Sequence, residues 1–388
     1  MLKLVFSVIL YRIERISLFY NMNAHDLKFL NVFNHIRGVG PTVLHTLKNH
    51  FGSFEAAWNA TPSHLSSSPL SSRMQETITA QKPHLDPNRE MGKLVKENIW
   101  IVTQESKEFP AILKEIPQSP LALYGQGSPS LLSLDTESRS RIGIVGTRKP
   151  TRYGSEAAEI ITRELAARGI IIVSGLATGI DTIAHKSALD SKGKTIAVLG
   201  SGIDRASLFP RENRKLADKI VETGSLIVSE YPPGTPAFKE NFPQRNRIIS
   251  GMARGIIVVE AREKSGALIT AGLALDQNRD VFAVPGSILS PTSFGTHALI
   301  QEGAKLVTSA KDIFAEWNID YSEKTKTAHA AEISEKENKI LALLEEPLNV
   351  DAIKARIGLE TGTIIASLSL LELKGLVRNL GGDMYQKI

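Results

Sequence analysis

Seven short runs of nearly uninterrupted apolar residues constrain this chain most: Ile142–Val145, Ile170–Val173, Thr195–Leu199, Leu226–Ser229, Ile256–Val259, Val281–Val284 and Lys305–Val307. A strand with one wet face alternates polar and apolar residues. Runs without that alternation imply strands covered on both faces, as in a parallel sheet layered between helices. Helical patterns separate the runs. One example is Gly154–Arg168, which Gly169 stops from the C′ position. Strand and helix repeated in this way predict an α/β fold, a Rossmann-like doubly wound and mainly parallel sheet, over residues 99–312.

At 388 residues the chain exceeds one ordinary core, so two or three domains are expected. Residues 24–82 read as a small helical domain of the SAM-like or helix-hairpin-helix kind. Leu27, Leu30, Val32, Phe33 and Ile36 lead into Arg37-Gly38-Val39-Gly40-Pro41, and Val43, Leu44 and Leu47 follow. The Ser- and Pro-rich stretch from Thr61 to Ser72 punctuates this region. Residues 318–331 form a polar linker. Residues 333–388 show three helical patterns and two β-prone runs around Gly381-Gly382, which is a winged-helix reading. The apolar Leu2–Leu10 is interrupted by Arg12, Glu14 and Arg15 and is shorter than the ~20 residues that span a bilayer. Residues 1–22 are therefore set aside as an extension of doubtful status, and no membrane association is expected.

A hydrophobic fraction of 42% and a charged fraction of 22% are those of a globular protein. The formal net charge of +5 permits a polyanionic partner without requiring one. The absence of cysteine excludes disulfides, thiolate metal sites and cysteine nucleophiles, and it fits a cytoplasmic location.

The chemistry is expected beyond the C-terminal ends of the strands, where ligands bind in open parallel sheets. The first strand ends in Val145-Gly146-Thr147-Arg148 and the second in the loop Ser174 to Asp181, which includes Gly175 and Gly179. The third ends in Gly200-Ser201-Gly202-Ile203-Asp204. Glycine lets the backbone approach an anion closely, and a following helix N-terminus adds partial positive charge. In any one loop glycine serves a tight turn equally well; three such loops on one edge favour phosphate. No third glycine completes a dinucleotide fingerprint and no Gly-Lys-Ser/Thr occurs, so neither a dinucleotide nor ATP is held in the usual way and no cofactor is expected.

Phe238 to Gly251 carries Lys239, Arg245 and Arg247 against one acid, Glu240, with Phe242 among them. Cations for phosphates interleaved with an aromatic for base stacking is the chemistry of single-strand binding. A solvated loop and helix start with Phe242 in the core is the structural alternative. Arg148 and Arg211, the latter in Phe209-Pro210-Arg211, tilt the balance toward nucleic acid. Asp181 and His185 share a helix face, but no third metal ligand accompanies them. A helix cap and a packed histidine are the preferred reading there. Glu260 either binds a ribose hydroxyl or orders its neighbouring loop. The turn at residues 35–40 either grips phosphates or is purely structural.

These motifs, together with Ser229-Glu230-Tyr231-Pro232-Pro233-Gly234, Ser265 to Ala271 and Val284-Pro285-Gly286-Ser287, resemble the bacterial DNA-processing protein A family, DprA or Smf. The resemblance spans nearly the whole middle region. It implies a cytosolic, non-enzymatic protein of natural transformation that binds incoming single-stranded DNA. It further implies dimerisation through the Rossmann-like domain and help in loading the RecA recombinase; single-strand-binding protein is a further candidate partner. In that family the pocket uses an arginine matching Arg148, basic residues matching Arg211 and Lys239, and an aromatic matching Phe242. The expected site is then Arg148, Arg211, Lys239 and Arg245 on phosphates and Phe242 on a base. Gly146, Thr147, Ser174, Gly175, Gly179, Gly200 and Gly202 would supply backbone contacts.

The rival readings are a nucleoside-monophosphate phosphoribohydrolase-like enzyme and a nucleotide sensor. The enzyme's motif ends in a catalytic glutamate, and Leu299 stands at that position. In the C-terminal region, seven Lys/Arg face eight Asp/Glu, and its third helix carries a single cation at its end. A groove-reading helix wants several basic and polar residues, so a protein contact or a weak accessory role is expected rather than sequence-specific DNA reading.

Overall fold

The computed structural model describes residues 24–133, 140–319, 334–373 and 376–387. They divide into two compact units, residues 24–319 and 334–387. The expected 1–22 extension and residues 320–331 of the expected linker lie outside the described residues.

The first unit is built on a nine-stranded sheet. Its strands are β1 Trp100–Thr103, β2 Ala122–Gly127, β3 Arg141–Val145, β4 Ile171–Ser174, β5 Thr195–Leu199, β6 Leu226–Ser229, β7 Gly255–Val258, β8 Asp280–Ala283 and β9 Lys305–Leu306. Their order is β1-β2-β6-β5-β4-β3-β7-β8-β9, and every neighbouring pair from β6 to β9 is parallel. The seven apolar runs therefore all become strands, each within a residue of its expected limits. Their lack of alternation has the expected cause. In β5, Ala197 and Leu199 enter a core on one face while Ile196 and Val198 enter a core on the other. Burying Ile196, Val198 or Leu199 stabilises the fold by about 1.5–3 kcal/mol each, and the single methyl of Ala197 by about 0.8 kcal/mol.

The strands β1 and β2 were not expected. They form an antiparallel edge on β6. Gly125 hides β2 by interrupting its six-residue run, and β1 is only four residues long. That glycine is required: a Cβ there would lie 2.0 Å from the Trp100 ring, whose Nε1 donates to the Gly127 carbonyl at 3.0 Å.

Helices Arg152–Ala167, Ile180–Asp190 and Arg214–Glu222 pack on one face, and Asn241–Gly251 and Gly266–Asp276 on the other. The helix Arg152–Ala167 starts at Thr151, whose side chain accepts the Gly154 N–H. Gly169 beyond its end takes φ +84°, a left-handed conformation that glycine adopts without strain.

The N-terminal helices share the first of these cores. Leu30, Phe33, Leu47 and Phe54 join Leu199, Leu216 and Ile220, and the buried Tyr124 hydroxyl donates to Asn31 Oδ1 at 2.9 Å. Thr61 and Ser71, from the Ser- and Pro-rich stretch, each accept a backbone N–H at a helix start, so the punctuation also nucleates helices. Both expected boundaries move. Helix Pro87–Lys96, capped by Asp86, extends the helical part past residue 82. Helix Ala310–Glu316 and Trp317, whose Nε1 donates to Asp280 at 2.7 Å, carry the sheet body past residue 312.

The second unit holds helices Glu335–Leu343, Val350–Ile357 and Thr361–Leu373 and a three-stranded sheet of order β10-β12-β11. The strands are β10 Leu348–Asn349, β11 Val377–Gly381 and β12 Met384–Lys387. The β11–β12 hairpin turns at Gly381 and Gly382, both with positive φ. Ile340, Ile353, Ile364, Leu368 and Val377 form the core. Ile365 and Leu370, on the third helix, remain exposed.

Candidate nucleic-acid interface

Parallel strands deliver their following loops to one edge, and that edge gathers most of the expected residues. Arg148 follows β3 and is exposed. Its guanidinium carbon lies 5.8 Å from the centroid of the Phe242 ring, within cation–π range. Phe242 belongs to the first turn of helix Asn241–Gly251 and covers Gly200, where a Cβ would approach the ring to 3.0 Å. Asn241 fixes this helix end by donating to the Gly200 carbonyl at 3.1 Å.

Phe209 joins the pair, its ring centroid 5.8 Å from that of Phe242 and its surface 45% exposed. Sequence reasoning missed it as a site residue. The available signal was its place two residues before Arg211, on the same loop. Asn213 anchors that loop by donating to the Leu176 carbonyl and to Thr182 Oγ1, both at 2.8 Å, while Arg211 stays exposed. Lys239 is exposed as well, between Phe238 and Glu240. Arg37, from the turn between the first two helices, stacks 5.3 Å from the Phe238 ring and lies 3.7 Å from the Glu240 carboxylate. That turn is thereby brought beside the basic segment.

Arg245 corrects an expectation. Only 4% of it is exposed, and its guanidinium points inward to the carbonyls of Gly175, at 2.7 Å, and Val198. It therefore does not present itself to a phosphate. Burial lowers its pKa to about 10, opposed by the charge of Asp181, so it remains a cation at neutral pH. Arg247, on the same helix, is also buried and donates to both oxygens of Glu230 at 2.6 and 2.7 Å. Of the three cations in this segment, Lys239 alone is exposed.

The loops, too, are ordered from within. Asp181 accepts the N–H groups of Gly175, at 3.0 Å, and Ala177, so it braces the preceding loop; Gly179 holds the N-cap position. Burial raises the Asp181 pKa, against the opposing charge of Arg245. His185 is fully buried beneath. Since Thr195 Oγ1 donates to the Ile172 carbonyl, His185 Nδ1–H donates to Thr195 at 2.7 Å. Burial, and then Arg245, hold the His185 pKa down at about 3. Among the described residues no cluster of His, Asp and Glu could hold a metal ion.

The Thr147 N–H donates to the Glu260 carbonyl, the Ser174 hydroxyl to Ile144 and the Gly202 N–H to Thr235. Together with Gly175, these residues do not offer the free donors expected of them. Glycine at 146, 179 and 200 admits protein neighbours: Ile180, the Arg148 backbone and Phe242 respectively. Gly179 takes φ +82° with Thr147 O 2.4 Å from any added Cβ, so no other residue fits. Glu260 resolves in favour of loop ordering: it is buried and accepts from Thr151 N–H, Thr151 Oγ1 and Thr292 Oγ1.

The charge pattern follows. Asp181 faces Arg245, Glu230 faces Arg247 and Glu240 faces Arg37, while Arg148, Arg211 and Lys239 stand exposed beside Phe209 and Phe242. The edge thus presents three exposed cations and two aromatic rings, with Glu212 beside Arg211 and Glu240 as exposed acids of the same segments.

The family model for DNA recombination-mediator protein A matches residues 100–318, and that for the DprA winged helix domain matches residues 324–383. The chain is 37% identical over 394 residues to protein Smf of Synechocystis, covering 92% of this chain and 97% of that one. The X-ray structure of DNA processing protein A from Streptococcus pneumoniae matches with a TM-score of 0.62 and 34% identity, over 74% of this chain and 97% of that one. The Helicobacter pylori DNA processing protein A structure, described for its unique single-stranded DNA binding mode, matches with a TM-score of 0.51 and 29% identity. It covers 57% of this chain and 97% of that one. With both family models matched and a relative 37% identical over 92% of its length, the chain belongs to the DprA/Smf family of DNA-processing proteins.

Proposed function

We propose that this protein is a non-enzymatic, cytosolic single-stranded-DNA-binding protein of natural transformation. It protects incoming strands and promotes loading of the RecA recombinase, acting as a homodimer joined through the Rossmann-like domain. Single-strand-binding protein is a further candidate contact. The observation that carries the DNA reading is Arg148 over the Phe242 ring, beside the exposed Phe209, on an open sheet edge. Arg148, Arg211 and Lys239 take phosphates, and the two rings take base faces, which every base offers. The single-strand binding described for the Helicobacter pylori relative supports the same reading.

The rival readings lose support at two residues. Leu299 is 7% exposed and packs in the core beside Val281 and Ala283, so no acid stands there to assist glycosidic cleavage. The carboxylate of Glu260, the acid considered for a ribose hydroxyl, is buried and already bonded to two threonines. Dimerisation is supported by the edge strand β9, paired on one side only, with Leu306 and Leu275 exposed near it. The apolar exposed face of the third C-terminal helix supports a protein partner there. Among the described residues no helix is long and apolar enough to cross a membrane.

Gel-shift and fluorescence-anisotropy titrations of single strands and of duplex of equal length, across a salt series, test the proposal. Single strands should bind more tightly at every salt concentration; equal or tighter duplex binding would refute it.

A further inference from the structure

The sheet edge continues past Arg148. The strands step outward from β3 through β4 and β5 to β6, then restart on the other side of β3 with β7 and β8. At such a reversal the following loops diverge to opposite faces and leave a crevice. There Glu260 is buried, and its carboxylate ties Thr151, after β3, to Thr292, after β8. Lys149 reaches that edge from the loop after β3, and Arg262 and Lys264 from the loop after β7; all three are exposed. The loop after β8 adds Ile288 and Leu289, 78% and 86% exposed, the most exposed large apolar side chains among the described residues.

That loop is braced. Tyr153, itself half exposed, donates its hydroxyl to the Pro285 carbonyl at 2.6 Å. His297 Nε2 bonds the Gly286 carbonyl at 3.1 Å, and Thr292 is tied to Glu260. Two large aliphatic side chains are thus held in water by a braced loop that Tyr153 touches, while three exposed cations follow β3 and β7 on the same sheet edge.

We propose that this β3–β7–β8 edge is a second nucleotide subsite, which takes the strand onward from the Arg148–Phe242 pair. Lys149, Arg262 and Lys264 meet phosphates, and Tyr153, Ile288 and Leu289 meet base faces. The occupant follows from continuity and charge. Thr147 is bonded directly to Glu260, so the two surfaces adjoin, and Glu263 is the one acid among residues 261–265. Neighbouring strands lie about 4.8 Å apart, so the β3 and β8 ends are roughly 10 Å apart along the edge. Even at ~3.4 Å per nucleotide a few nucleotides span that distance. The proposal rests on the single-strand reading of the Arg148–Phe242 pair.

The test compares oligothymidylates of about 6 and about 20 nucleotides by fluorescence anisotropy on the full-length protein. The double variant Ile288→Ser/Leu289→Ser should hold the short strand within about twofold and weaken the long one at least about tenfold. The triple variant Lys149→Ala/Arg262→Ala/Lys264→Ala should flatten the long-strand log–log salt slope by about 2. Equal weakening of both lengths, or of neither, overturns the proposal. So does a fall in the light-scattering mass of the serine variant, which would assign the loop to a contact between copies. Arg148→Ala separates the two readings. It weakens both lengths if the pocket is read correctly; if it weakens neither, the pocket reading fails and the serine pair decides the edge alone.

Discussion

Arg245 and Arg148 are both arginines on the candidate edge, and the structure assigns them opposite roles. Arg245 is buried against the Gly175 and Val198 carbonyls and compensates the buried Asp181. In Arg245→Ala that carboxylate keeps its burial and loses its countercharge. Removing one partner of a buried pair costs about 3–5 kcal/mol. The two carbonyls, left without their donor, bring the cost toward the upper end of that range. Protonation of Asp181, whose pKa already stands raised, limits the loss and makes it smaller at low pH than at neutral pH. Urea denaturation should therefore show Arg245→Ala destabilised by about 3–5 kcal/mol at pH 7, against within about 0.5 kcal/mol for the exposed Arg148→Ala. Asp181→Asn on top of Arg245→Ala should recover part of the loss, since the unpaired charge is gone. On the DNA side the ranking inverts: folded Arg245→Ala should keep the wild-type salt slope while Arg148→Ala flattens it. If Arg245→Ala is as stable as wild type and flattens the slope, the arginine is a phosphate ligand and the burial argument is wrong.

Three further outcomes are expected. With Arg148, Arg211 and Lys239 each meeting a phosphate, the salt slope for a short single strand should be about −2, and alanine at any one should flatten it by about 0.7, measured by anisotropy across a salt series. Phe242→Ala and Phe209→Ala should each cost roughly 1–3 kcal/mol of affinity and leave the slope unchanged, because stacking releases no counterions; a flattened slope would show the rings act through the neighbouring cations. His185 is held at about 3 when folded and titrates near 6.5 when unfolded, so its contribution is whole above about pH 6.5 and is lost as the pH falls, by about 1.4 kcal/mol per unit. His185→Gln should flatten the stability profile between pH 6.5 and 5 in urea titrations, and a profile parallel to wild type would refute the assignment.

The parts legible in the sequence were those that local pattern determines. Apolar runs marked the seven parallel strands because both of their faces are covered, and the residue types at their ends marked the edge. The antiparallel strands β1 and β2 were not legible, because Gly125 serves contact with Trp100, a partner known only after folding. Arg245 and Arg247 misled for a related reason. Arginine reads as a surface cation unless its acid is known, and Asp181 and Glu230 lie far away in sequence. The glycine loops lie at the sheet edge, but ligand contact is not what their glycines are shown to serve. Their close approaches are to the protein's own Ile180, Arg148 backbone and Phe242.

That misreading sharpens the account of the edge. Loops ordered by internal bonds do not have to fold around a ligand, so the backbone that carries Arg148, Arg211 and Phe242 is fixed in advance, and binding on the proposed reading costs less loop ordering. The buried charges serve the same end. Arg245 ties the loop after β4 to the end of β5, and Asp181 pins that loop beneath Arg148. Their mutual compensation keeps the buried layer near neutral, so the field above the edge is set by the exposed cations. On the proposed reading such a site meets phosphates and ring faces and brings few directed donors to base edges, which makes it indifferent to base identity. Affinity should then depend on strand length and salt far more than on sequence, and a strong preference among oligonucleotides of equal length would refute the reading.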